Sequence, residues 1–140
     1  MVWSSVGPRT AVTTDVSYSV GIIEDGQVTA IWRRNQPAIS STLELASWEV
    51  AGGDSLRFRD CTVPAEEAAR KFGYRDTMPL IESIVLSPEG GAWIRRRTET
   101  PGEFLIDVLD QTGRYVGTLP QGSPFPALFR GTDEIVTVEA

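Results

Sequence analysis

Short runs of alternating apolar and polar residues, each closed by a glycine-bearing turn, recur along this chain, and their period of two confines most of it to antiparallel β-structure. Tyr18, Val20 and Ile22 alternate with Ser17, Ser19 and Gly21. Glu24-Asp25-Gly26-Gln27 follows, and Asp-Gly between two such runs marks a tight hairpin. The return strand, Val28 to Arg34, places Val28, Ala30 and Trp32 on one face.

The same grammar continues downstream. Leu80 to Leu86 is apolar enough for burial on both faces, Ser87-Pro88-Glu89-Gly90-Gly91 makes a turn, and Ala92-Trp93-Ile94-Arg95 returns. Phe104, Ile106 and Val108 then alternate with Leu105, Asp107 and Leu109; Asp110-Gln111-Thr112-Gly113 closes that strand, and Arg114 to Leu119 returns. Pro79 to Leu119 therefore reads as four consecutive antiparallel strands, the size of one β-propeller blade. Phe125 to Phe129, a turn at Gly131-Thr132-Asp133 and Ile135 to Val138 begin the pattern again, and Met1 to Thr14 is expected to supply the strands that precede Val16 to Arg34. The last strand pair is expected to break off at Val138-Glu139-Ala140.

Asn35 to Thr77 has a different texture. Val63 to Gly73 reads as a helix, with Pro64 in its first turn, acids early, bases late and Gly at its end. An earlier helix is suggested by a capping box of Ser41 and Glu44 and by Leu43, Ala46 and Val50 on one face, although Leu43 and Leu45 also alternate as in a strand.

Pro79-Leu80-Ile81-Glu82-Ser83-Ile84-Val85-Leu86-Ser87-Pro88-Glu89-Gly90-Gly91-Ala92-Trp93-Ile94 resembles the opening of an NHL-type propeller blade: Pro, an apolar strand, a tight turn and a Trp-bearing strand. Phe104-Leu105-Ile106-Asp107-Val108-Leu109-Asp110-Gln111-Thr112-Gly113-Arg114-Tyr115-Val116-Gly117 is similar to its second half. The whole resembles the C-terminal part of bacterial six-bladed β-propeller proteins of the NHL-repeat/TolB-like superfamily. That resemblance implies a mainly β fold of about two and a half blades with a short helical insertion: an incomplete blade over 1–34, the insertion over 35–78, a complete blade over 79–119 and the start of another over 120–140. It also implies export to the periplasm or cell envelope. Because a blade buries its faces only against neighbouring blades, the chain is expected to be a piece of a longer one, with copies of itself as the other source of neighbours. Arg95-Arg96-Arg97 departs from the family pattern, in which a small residue and Asp are common there.

Composition narrows the chemistry. The net charge of −6 argues against nucleic acid as a partner. No apolar run approaches the ~20 residues that span a bilayer. With no His and a single cysteine, Cys61, the commonest general base, the His-paired nucleophiles and a thiolate metal site are all missing, so no cofactor and no metal are expected. The turn acids Asp25, Glu89 and Asp110 have backbone reasons to be where they are, and Glu66-Glu67 suits a helix N-terminus. Gly90-Gly91 lacks the flanking residues of a phosphate loop. Asp107 has no such local reason and is expected to face solvent.

The remaining candidates are for ligand binding. Arg95 and Arg97, with Arg33 at the end of the first hairpin, are placed to form a basic rim for carboxylate or phosphate if neighbouring strand ends meet; otherwise they are solvated strand ends that deter edge pairing. Trp32 and Trp93 are expected to pack between sheets, and Trp48 to offer an exposed aromatic contact. The reading these features favour is a non-catalytic scaffold for a protein or small-molecule ligand. The alternative is part of a propeller-type hydrolase or lyase whose active site lies in other blades.

Overall fold

The computed structural model describes residues 1–138, and Glu139 and Ala140, where the sequence pattern expects the strand pair to break off, lie outside the described residues. In chain order the elements are β1 (Val2–Val6), β2 (Arg9–Thr13), β3 (Ser19–Glu24), β4 (Gln27–Arg33), β5 (Ile39–Ser40), α1 (Leu43–Ala51), β6 (Ser55–Phe58), β7 (Cys61–Pro64), α2 (Ala65–Phe72) and β8 (Thr77–Met78). After them come β9 (Ile81–Leu86), β10 (Ala92–Arg97), β11 (Phe104–Leu109), β12 (Tyr115–Thr118), β13 (Leu128–Arg130) and β14 (Glu134–Val136). The described fold is mainly β, and its strands pair antiparallel.

The chain divides into two compact units. The first comprises 1–37, 79–97 and the residues from 104 onward. It holds two four-stranded meanders, β1-β2-β3-β4 and β9-β10-β11-β12, and the hairpin β13-β14. In the β3–β4 turn Asp25 and Gly26 both take positive φ, 50° and 77°, the backbone a two-residue hairpin needs to match the strand twist.

Register settles which residues share a face. In the first sheet Ser4, Ala11, Ile22 and Ala30 line up across the strands, as do Val20 and Trp32, and Ala11, Val20, Ile22 and Trp32 are buried. In the second, Leu86, Ala92 and Leu109 form one row, Ile84, Ile94 and Asp107 the next, and all six are buried. These two faces meet: β1 and β2 pack against β9, the Leu86 amide donates to Ser4 Oγ at 3.0 Å, and Arg9 donates to the Gly90 carbonyl at 2.7 Å. Each fully buried aliphatic side chain contributes about 1.5–3 kcal/mol, so this seam is the main stabilising feature of the unit.

The seam runs the whole width of the sheets. At its far side Trp32 of β4 lies on Gly113, in the β11–β12 turn, where φ is +81° and an added Cβ would collide with the indole. The opposite face of the second sheet carries Trp93, which meets Phe129 of β13 edge-on at a centroid distance of 5.6 Å. The opposite face of the first sheet, lined by Trp3, Val12, Gly21, Ile23, Val28 and Ile31, stays open: Trp3 is 65% exposed, Val28 64% and Ile31 54%, and Val28 leaves the Trp32 face expected of it because the ladder shifts register between Ile22 and Ile23.

The second unit comprises 38–78 and 98–103. It contains α1 and α2 packed on one another, the hairpin β6-β7 and the short pair β5-β8. The β6-β7 hairpin was not expected, because the sequence pattern assigns Val63 and Pro64 to the first turn of the helix. Val63 and Pro64 are in fact strand residues, and α2 starts at Ala65, two residues later than expected, with Pro64 as its N-cap, where a missing N–H costs nothing. The expected capping box also shifts. Thr42, not Ser41, caps α1, its Oγ1 accepting from the Leu45 amide at 3.2 Å. In the first unit, the strand expected over Phe125 to Phe129 begins only at Leu128, because Pro124 and Pro126 cannot donate to a ladder, and its partner ends at Val136.

Gly113→Ala should test the seam. The added methyl meets both the Trp32 ring and a left-handed backbone, so a loss of about 2 kcal/mol is expected in urea unfolding. Gly131→Ala, also at positive φ but with nothing near its Cβ position, should cost less.

Candidate functional site

Two strands that belong to different sheets end in arginines, β4 at Arg33-Arg34 and β10 at Arg95-Arg96-Arg97, and the sheet seam brings part of each group together. Alternation on β10 decides which part. Arg96 points to the seam, whereas Arg95 and Arg97 lie on the other face. Arg34, just past β4, also reaches the seam. Both guanidiniums close on one oxygen of Asp107: Arg34 Nη1 donates to Oδ2 at 2.7 Å, and Arg96 Nε donates to it at 2.8 Å.

Asp107 therefore does not face solvent. It is 0% exposed, in the row with Ile84 and Ile94, because β11 turns the side chains of Asp107 and Leu109 toward the first sheet. Its other oxygen, Oδ1, accepts from Thr118 Oγ1 at 2.6 Å, across the strand pair that places Thr118 directly opposite. Since the single Thr118 proton is committed there, Tyr115 must donate in the 2.7 Å bond between the two hydroxyls. The Tyr115 ring also lies under the Arg34 guanidinium, 3.6 Å from its carbon, and Tyr18 flanks the same group at 5.2 Å.

Electrostatics follow from this packing. Burial pushes the Asp107 carboxyl up, but the Arg96 and Thr118 hydrogen bonds and the two arginine charges outweigh it and hold the group below its ordinary value. Burial, with the Asp107 charge beside it, raises the Tyr18 hydroxyl above its ordinary range, so Tyr18 stays neutral. That hydroxyl is buried beside the Arg34 guanidinium and the Asp107 carboxylate.

The residues singled out from sequence fall elsewhere. Arg95 pairs loosely with Glu82 at 3.6 Å and sits 4.2 Å over the Phe104 ring. Arg97 is buried rather than a solvated strand end, and its Nε donates to the Pro79 carbonyl at 3.1 Å. Arg33 is exposed at the end of β4. Trp48, on α1 in the other unit, is half-buried and packs on Gly102, where an added Cβ would stand 2.7 Å from the indole. The residues that do converge, Arg34, Arg96, Asp107, Thr118, Tyr18 and Tyr115, carry one sequence signal: an acid inside an apolar strand.

The turn acids behave as turn residues. Asp110 Oδ1 accepts from the Thr112 hydroxyl and from the Thr112 and Arg114 amides, and these bonds lower its pKa. Among the described residues no three His, Cys, Asp or Glu side chains are grouped to hold a metal ion. No helix among them is long and apolar enough to cross a membrane. Comparison with known protein families, with curated proteins and with solved structures finds no match.

Removing Asp107 should be costly, because it leaves two partly buried guanidiniums without their acceptor. Asp107→Ala is expected to lose about 3 kcal/mol at pH 7 in denaturant titration. The folded-state pKa lies below the ordinary carboxyl value of 3.8, so this stabilisation is present above that value and is lost as pH falls through the lower folded one. The gap between wild type and variant should therefore be constant from pH 7 to about 5 and narrow below pH 4.

Proposed function

We propose that this chain is part of a β-propeller-type scaffold that binds a ligand or protein partner without itself catalysing a reaction. The observation that carries this reading is the repetition of one stacking rule. The face of the first meander that bears Trp32 lies on the second meander, and the face of the second that bears Trp93 is met in turn by β13. The stacking reaches both sides of the sheets, with β1 and β2 on β9 at one side of the seam and β4 on the β11–β12 turn at the other. The open face of the first meander, with Trp3, Val28 and Ile31, is the place such a rule reserves for a further sheet, from a longer chain or from another copy.

The charged groups support the non-catalytic half of the reading. Asp107, the one fully buried acid among the described residues, has its oxygens committed to three donors, and one oxygen of the turn acid Asp110 accepts from the Thr112 hydroxyl and two backbone amides. A carboxylate held ionised and saturated in this way is a poor general acid or base.

Light scattering on a sizing column tests the stacking rule. The 15.3 kDa chain is expected to self-associate, and Ile31→Lys, which places a charge on the open face, should shift it toward the monomer mass. A sharp wild-type monomer with the same stability as Ile31→Lys would contradict the proposal. A stoichiometric, tightly held divalent metal in the purified protein would instead favour the hydrolase or lyase alternative.

A further inference from the structure

The Asp107 cluster has more donors than acceptors. One carboxylate faces two guanidiniums, so the group carries one positive charge beyond what it balances. The acceptor side is nearly saturated, with two donors on Oδ2 and one on Oδ1. The donor side is not. Arg34 uses only Nη1 and Arg96 only Nε in hydrogen bonds with the described residues, which leaves Arg34 Nε and Nη2 and both Arg96 terminal nitrogens unengaged.

These donors are neither freely solvated nor sealed. The Arg34 side chain is 19% exposed and the Arg96 side chain 16%, so each has lost most of its water while keeping an opening to the surface. Because both donate to the same oxygen, the two guanidiniums are neighbours, and Tyr115 and Asp107 hold their planes in place. A pre-oriented planar fork is the group that best fits a carboxylate.

We propose that Arg34 and Arg96, held side by side by Asp107, form a binding site for the carboxylate group of a small ligand. The surplus is a single charge, so a monoanion neutralises it, whereas a dianionic phosphate would overshoot next to Asp107 on a chain whose net charge is −6. This assignment rests on the scaffold reading above and names the ligand class for it.

Side-chain NMR of the arginine N–H groups, with acetate titrated at constant ionic strength against chloride, tests the assignment on the full chain. The expected result is a saturable shift confined to the Arg34 and Arg96 signals, with a midpoint on the order of millimolar. Arg96→Gln should weaken it at least tenfold, while Arg130→Gln, a surface arginine paired with Glu134, should leave it unchanged. Should Arg96→Gln not fold, Arg96→Lys keeps the charge that holds Asp107 and removes the spare planar donors, and it too should weaken acetate binding. Acetate and chloride acting alike, or Arg96→Lys binding acetate as the wild type does, would overturn the site and leave the cluster a structural tie. Phosphate saturating at lower concentration than acetate would overturn the choice of ligand class. None of these outcomes depends on the self-association measurement, so the site and the scaffold reading fail separately.

Discussion

One buried carboxylate joins the two meanders at the end of their seam. Asp107 accepts from Arg34, which follows β4 of the first sheet, and from Arg96, at the end of β10 of the second. An ionised group taken out of water is tolerated only when its lone pairs are occupied, and here three donors converge on it. The result is directional in a way that aliphatic contacts are not. Ala11, Val20 and Ile22 would bury as well with the sheets slid by one residue pair, but Asp107 would then lose both guanidiniums.

That constraint explains several neighbouring features together. Trp32 needs a flat partner at the far side of the seam, and Gly113 supplies it. Arg34 is stacked on Tyr115 and flanked by Tyr18, so its plane is fixed before any ligand arrives. Arg9 ties the other end of the same seam, bridging Glu24 and the Gly90 carbonyl. The cluster that locks the sheets is also the one with donors to spare. Structural tie and carboxylate site are two consequences of placing two arginines on one aspartate.

The strands were legible because their signal is local. Alternation at Tyr18 to Ile22, the Asp25-Gly26 turn and the Gly90-Gly91 turn each act within a few residues, and the hairpins lie where those patterns put them. Asp107 was misread for the opposite reason. Alternation gives a strand two faces without saying which one water sees, and the partner that makes burial tolerable, Arg34, is far away in sequence. The same limit separated the arginines. Period two predicts that Arg95 and Arg97 share a face and Arg96 does not, but only the sheet seam shows that the seam-facing one is Arg96. The start of α2 failed differently: Pro64 suits a first helical turn, but Val63 and Pro64 pair with β6, and that pairing is set by residues outside the helix pattern.

Native-state hydrogen exchange tests the central claim, that the two meanders form one cooperative body locked through Asp107. The amides of β2, β3, β10 and β11 should exchange with a common opening free energy, and Asp107→Ala should lower it by the same amount in both sheets. Exchange of β1 to β4 through a separate, cheaper opening that ignores Asp107→Ala would contradict the account, leaving two sheets in contact but not in register.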